Sequence, residues 1–299
     1  MNPALHDVIE LLQLEALEDH LFRGQSRDIG APQVFGGQIV GQALSAAQHT
    51  VADSRTPHSL HAYFLRRGDF NRPVIYQVER SRDGGSYSNR RVVALQHGEP
   101  ILNLAASFHE PEDGFCHQAE MPDVPGPDGL DRSIDIQKSI IDRVPEKMRR
   151  LLAHEPPFEF RPVEPPKWIA PQERPARKHV WMRAWNALPD DANLHRLLLT
   201  YVSDYELLGT ATLPHRLNFS TRRVLMASLD HALWFHRPFR VDEWLLYACD
   251  SPSAHGARGF TRGQFFSQSG ELIASTAQEG VIRRRRTEEP RPDTGQAPD

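Results

Sequence analysis

Two stretches of the chain repeat each other at long range, and this limits the possible fold more than any other feature. His58-Ser-Leu-His-Ala-Tyr-Phe-Leu-Arg-Arg matches Ser228-Leu-Asp-His-Ala-Leu-Trp-Phe-His-Arg when His61-Ala62 is set on His231-Ala232, 170 positions later. The same offset brings Val74-Ile75-Tyr76 onto Trp244-Leu245-Leu246. After a slip of two residues Gly98-Glu99 falls on Gly270-Glu271, and residues 101–108 fall on 273–280. Apolar runs and turns that keep step in this way are the mark of a duplicated unit.

Each copy reads as one helix followed by several strands. The first helix is expected over residues 34–48, where Gly37, Gly41 and Ser45 stand four apart and let another backbone lie close. The second is expected over 194–208, with Asp190, Asp191 and Asn193 as capping candidates. Strands are expected over 74–79, 90–96 and 101–108, and again over 244–250, 260–267 and 271–283. Turn signals such as Asp83-Gly84-Gly85 and Gln268-Ser269-Gly270 make these antiparallel hairpins, an α+β arrangement used twice. Prolines crowd into 111–127 and 156–175 around a helical pattern over 134–152. The expected organisation is a first unit over 1–115, a proline-rich connector with one helix over 116–155, a second unit over 156–286 and a flexible tail over 287–299.

Charge and motifs narrow the chemistry. With 35 basic and 39 acidic side chains the net charge is −4, which gives no footprint for nucleic acid or an anionic membrane. No apolar run approaches the roughly 20 residues a membrane helix needs. Cys116 and Cys249 are too few for a disulfide framework, the first 20 residues lack a basic start and an apolar core, and the chain ends Ala-Pro-Asp. A cytoplasmic protein is the expectation. Gly84-Gly-Ser-Tyr-Ser88 lacks the last glycine of a nucleophile elbow, and no dinucleotide fingerprint, phosphate loop or H-E-x-x-H occurs. The 15 histidines are scattered singly, so neither metal nor cofactor is expected.

Three polar residues stand out. Leu197, Tyr201, Asp204 and Leu208 recur at helical spacing, which sets the Asp204 carboxylate in an apolar stripe while Glu206 points away. A buried carboxylate needs partners or a function. In the last strand Leu272, Ala274, Thr276, Gln278, Gly280 and Ile282 share one face, so the Gln278 amide must find a hydrogen bond, a ligand or a water. Ser228 offers a hydroxyl without an evident basic partner, and unactivated serine is a poor nucleophile. A structural ion pair for Asp204 and a backbone bond for Gln278 remain open on this evidence.

The segments carrying these residues resemble acyl-CoA thioesterase II. The match runs through Leu199-Thr-Tyr-Val-Ser-Asp-Tyr-Glu-Leu-Leu-Gly-Thr, Ser228-Leu-Asp-His-Ala-Leu-Trp-Phe-His-Arg-Pro-Phe and Ala274-Ser-Thr-Ala-Gln-Glu-Gly. In the first half it runs through Gln33-Val-Phe-Gly-Gly-Gln-Ile-Val-Gly-Gln-Ala and Arg82-Asp-Gly-Gly-Ser-Tyr-Ser-Asn-Arg-Arg-Val. The resemblance implies a double hotdog fold, hydrolysis of fatty acyl-CoA to fatty acid and coenzyme A, and association into homodimers or homotetramers. It assigns water activation to Asp204, Ser228 and Gln278. Coenzyme A phosphates call for arginines on a rim, and Arg90, Arg91, Arg258 and Arg262 are the candidates. Two rivals keep the fold: a 2-enoyl-CoA hydratase or dehydratase, whose catalytic histidine would be His231 or His236, and a non-catalytic acyl-CoA binding protein.

Overall fold

The computed structural model describes residues 1–144, 146–164, 172–215 and 224–284. The first half contains α1 (Pro3–Leu12), β1 (Glu15–Glu18), β2 (Leu21–Gly24), α2 (Gly36–Gln48), β3 (Thr56–Phe64), β4 (Val74–Asp83), β5 (Tyr87–Gln96) and β6 (Glu99–His109). Two short helices follow, α3 (Ser133–Ile140) and α4 (Glu146–Ala153). The second half contains β7 (Phe158–Pro162), β8 (Arg177–Ala184), α5 (Ala192–Ser203) and β9 (Val224–Ser228), then β10 (Asp230–Phe235), β11 (Leu245–His255), β12 (Arg258–Ser267) and β13 (Leu272–Arg284). The tail expected over 287–299 lies outside the described residues.

By hydrogen bonding the strands run β1-β2-β4-β5-β6-β3-β10-β13-β12-β11-β8-β7, with β9 added on β13. The order is palindromic about the β3–β10 seam, as a duplicated unit joined to itself requires. Tight turns set two of the hairpins: His97 and Gly98 at φ 52 and 77° between β5 and β6, and Gly256 and Ala257 at φ 57 and 60° between β11 and β12. Two adjacent positive-φ residues are what a two-residue hairpin loop demands. The double hotdog expectation holds, since α2 packs against the strands of the first half and the two long helices pack on each other.

Small residues let those helices touch. A Cβ on Gly37 would stand 2.1 Å from the Tyr201 carbonyl oxygen, and one on Gly41 would stand 3.7 Å from that of Leu197. The third member of the row, Ser45, donates to the Leu12 carbonyl of α1 at 2.8 Å. Nearly every residue of α2 is buried, so it serves as the first half's core rather than as a surface helix.

Three expectations change. The pattern over 134–152 is not one helix: α3 ends at Ile140, a short 3-10 turn covers Ile141–Arg143, and Val144 is extended at φ −105°, ψ 155°. Val144 precedes a proline, which excludes it from helical geometry. The second long helix stops at Ser203 instead of running to 208. Glu206 takes the left-handed φ of 65°, and a separate 3-10 helix occupies Leu208–His215. Finally, the matched histidines face opposite ways: His61 is exposed, whereas His231 is 1% exposed. Side chains alternate along a strand, so a one-residue error in the alignment exchanges faces.

The connector is not a free linker. Gln118 bonds the Gly270 carbonyl and the Leu272 amide, and the Trp181 indole donates to the Pro125 carbonyl at 2.8 Å. Met121, Val124 and Leu130 pack on the cluster of Trp181, Leu246, Phe266 and Leu272, covering apolar surface of the second half that water would otherwise meet.

Candidate active site

α5 is set by its ends. Asp191 caps it by accepting from the Asn193 and Leu194 amides at 2.9 and 3.2 Å. Leu198, Leu199, Tyr201 and Val202 are buried along its length. Asp204 is the C-cap residue, still helical in its backbone at φ −81°, ψ −12°, so its side chain leaves from the helix end instead of its flank. Glu206 turns outward to an ion pair with Lys178 at 2.6 Å.

The end of α5 abuts the start of α2. A Cβ on Gly36 would lie 2.6 Å from Asp204 Oδ2. The Gly37 N–H donates to the carboxylate, and the Gln278 amide nitrogen donates to Oδ1 at 2.6 Å. These bonds favour the ionised form, but loss of water outweighs them and pushes Asp204 up to about 6. No ion pair to Asp204 occurs among the described residues. Its titratable neighbours Tyr205 and Tyr247 are themselves held neutral by burial, Tyr205 pushed up to about 12. The carboxyl thus titrates in the range where a base works at physiological pH.

Asp204 and Ser228 line one cavity of about 650 Å³. Its walls come from both halves: Phe35, Gly36 and Phe64 on one side, the β9 residues from Val224 to Ser228 on the other. Ser228 pairs with Gly280, which sits two residues beyond Gln278 on the same inward face. Paired residues of a ladder share a face, so Ser228 and Gln278 project to one side of the sheet. Gln278 is 1% exposed and does not line the cavity; it joins the site through its bond to Asp204, and its buried Oε1 has no partner among the described residues.

The four arginines fall elsewhere. Arg90 is not on a rim: it is 2% exposed, and its five N–H groups meet Thr50, Arg82, Asn89 and Asp83 within the first half. Arg91, Arg258 and Arg262 are exposed and paired with Glu79, Glu279 and Asp250. None of the four lines the Asp204 cavity, although Arg258 borders a smaller hollow of about 250 Å³. The cations that do line it are Arg66 and Arg67, both exposed, with Arg66 held to Glu99 at 2.8 Å.

Sequence reasoning missed these two, together with Gly36 and Ser203, and read Gly37 only as a helix-packing residue. The glycine pair at a helix start was the available signal for part of this. His231 entered only as the histidine of the rival hydratase. The structure buries it, with Nε2 on Ser203 at 2.8 Å and Nδ1 on Gln278 at 3.2 Å, and it does not line the cavity. The signal was a histidine sharing a strand face with Leu233 and Phe235. Groups of histidine, cysteine and acidic residues able to hold a metal are absent among the described residues, and no described helix is long and apolar enough to cross a membrane.

Comparison with known proteins matches both halves. A family model described as acyl-CoA thioesterase covers residues 152–281, and one described as acyl-CoA thioesterase N-terminal domain covers 24–109. Acyl-CoA thioesterase 2 of Haemophilus influenzae is 43% identical over 284 residues, 95% of this chain and 99% of the relative. Human acyl-coenzyme A thioesterase 8 is 44% identical, covering 92% of this chain and 88% of its own. The crystal structure of the acyl-CoA thioesterase II TesB2 from Mycobacterium marinum superposes with a TM-score of 0.77 at 41% identity, over 93% of this chain and 98% of that one.

Proposed function

The chain belongs to the acyl-CoA thioesterase II family, which hydrolyses acyl-CoA thioesters, and we propose that Asp204, Ser228 and Gln278 carry that hydrolysis here. The observation that carries the assignment is the 2.6 Å bond from Gln278 to a cavity-lining carboxylate whose pKa is pushed up to about 6.

Water held between the Ser228 hydroxyl, the free Gln278 oxygen and Asp204 loses a proton to the Asp204 carboxylate as its oxygen attacks the thioester carbonyl. The carbonyl π pair moves onto oxygen, where the Gly36 N–H at the start of α2 receives the charge, the Gly37 N–H being held by Asp204 and those of Gln38 and Ile39 by the Phe35 carbonyl. Gly36 lines the cavity at that point, and the first N–H of a helix has no intrahelical partner. The pair then returns, the carbon–sulfur bond breaks, and coenzyme A leaves as a thiolate that takes the proton back. Arg66 and Arg67 stand where the cavity meets solvent and suit the phosphates of the leaving group. In the first half Ala106 occupies the position aligned with Gln278, so that half lacks the amide that would hold the water.

The hydratase reading is disfavoured because both ring nitrogens of His231 are engaged, by Ser203 and Gln278, and because His236 bonds Ser275 and neither touches Asp204 nor lines the cavity. A cytoplasmic homodimer or homotetramer completes the proposal, on the strength of the family resemblance and of free Cys116 and Cys249. The test is incubation with lauroyl-CoA and a thiol reagent beside a 2-enoyl-CoA. Thiol release from the first, slowed at least about 10²-fold in Asp204→Asn, is expected. Enoyl-CoA turnover without thiol release would replace hydrolysis with hydration.

A further inference from the structure

Gln278 acts in this mechanism through its oxygen, but rotating an amide by half a turn exchanges its oxygen and nitrogen at almost no steric cost. Something must hold the orientation. Ser203, fully buried, donates its single proton to the Thr200 carbonyl at 2.9 Å. A carbonyl cannot donate, so that direction is fixed. Ser203 Oγ therefore accepts from His231 Nε2 at 2.8 Å. Burial pushes His231 down to about 4, so the ring is neutral and carries its one proton on Nε2. Its Nδ1 is left with a lone pair, and the Gln278 nitrogen donates to it at 3.2 Å. The second amide proton goes to Asp204 Oδ1 at 2.6 Å, and Oε1 keeps no partner among the described residues.

We propose that His231 is a positioning residue: through Ser203 and the Thr200 carbonyl it locks the Gln278 amide with its nitrogen toward Asp204 and its oxygen free for the attacking water. The inference rests on the catalytic roles given above. Asp204 alone would not supply the lock, because a protonated carboxyl can donate to the oxygen of a rotated amide. Near pH 6 half of the folded molecules carry that proton. A neutral Nδ1 only accepts, so it holds one orientation whichever form Asp204 takes.

The test is His231→Leu beside His231→Asn, whose side-chain oxygen stands near the place of Nδ1, and Asp204→Asn. The Leu variant is expected to lose roughly 10- to 100-fold in kcat, in line with the cost of small misplacements, with KM changed less than about twofold. The acid limb of its pH profile should move above pH 6, because ionised Asp204 loses its Gln278 donor. The Asn variant should recover part of both. A folded His231→Leu with normal kcat and an unmoved limb overturns the positioning role while an inactive Asp204→Asn leaves the catalytic reading standing. A fully active Asp204→Asn overturns both. Should the Leu variant fail to fold, histidine ¹⁵N shifts of the native enzyme decide: a proton on Nε2 and none on Nδ1 from pH 5 to 8 is expected, and a proton on Nδ1 sinks the lock.

Discussion

Gly36, which opens the long helix of the first half, and Asp204, which closes that of the second, approach so closely that a methyl group on Gly36 would lie 2.6 Å from the carboxylate. That Cβ would also stand 3.0 Å from the Phe64 ring. Gly36→Ala therefore pushes the carboxylate off its position while helping the helix, where alanine exceeds glycine by about 1 kcal/mol. The expected outcome is a kcat loss of about 10²-fold with little change in melting temperature. Equal losses in both would make the glycine a packing residue only.

Asp204→Asn should lower kcat by about 10²- to 10⁴-fold and leave KM nearly unchanged. It should also erase the acid limb near pH 6. Its effect on stability has a definite sign. Burial raises the folded pKa above the ordinary carboxylate value of 3.8. Asp204 therefore contributes stability that is complete below about pH 4 and lost as pH rises through about 6. Relative to the native protein, the Asn variant should gain stability across that window, as read by denaturant titrations at pH 4 and 7. A stability difference that runs the other way would mark Asp204 as a member of a structural ion pair.

Ser228 tests whether water or serine attacks. Ser228→Thr keeps a hydroxyl on the cavity wall and should retain most activity, whereas Ser228→Ala should lose roughly 10- to 1000-fold. Mass spectrometry of the enzyme during turnover should find no acyl group on Ser228. A trapped acyl-serine would replace water activation with nucleophilic catalysis.

Arg90 and Arg67 separate architecture from substrate binding. Arg90→Ala breaks five hydrogen bonds in the first half and should cost about 2–4 kcal/mol of stability with kcat of the folded protein preserved. Arg67→Ala, on an exposed residue lining the cavity, should leave stability alone and raise KM several-fold, with a smaller rise at high salt where the charge is already screened. Unfolding curves and KM on both proteins check the pair.

The sequence by itself determined the duplicated α+β plan, three strands of each half, the close helix approach at Gly37 and Gly41, and the inward face that carries Gln278. Those properties follow from periods of two and about four residues and from turn chemistry, all local to a few neighbours. It also marked Asp204, although by a helix stripe that the chain abandons at Ser203. Only the tertiary structure decided that Asp204 meets a residue 74 positions away, that His231 turns inward while its matched partner His61 turns out, and that Arg90 is core. Strand register and the docking of one half on the other set these contacts. A single-residue shift leaves the local pattern almost untouched, yet it sends a side chain to the opposite face of the sheet.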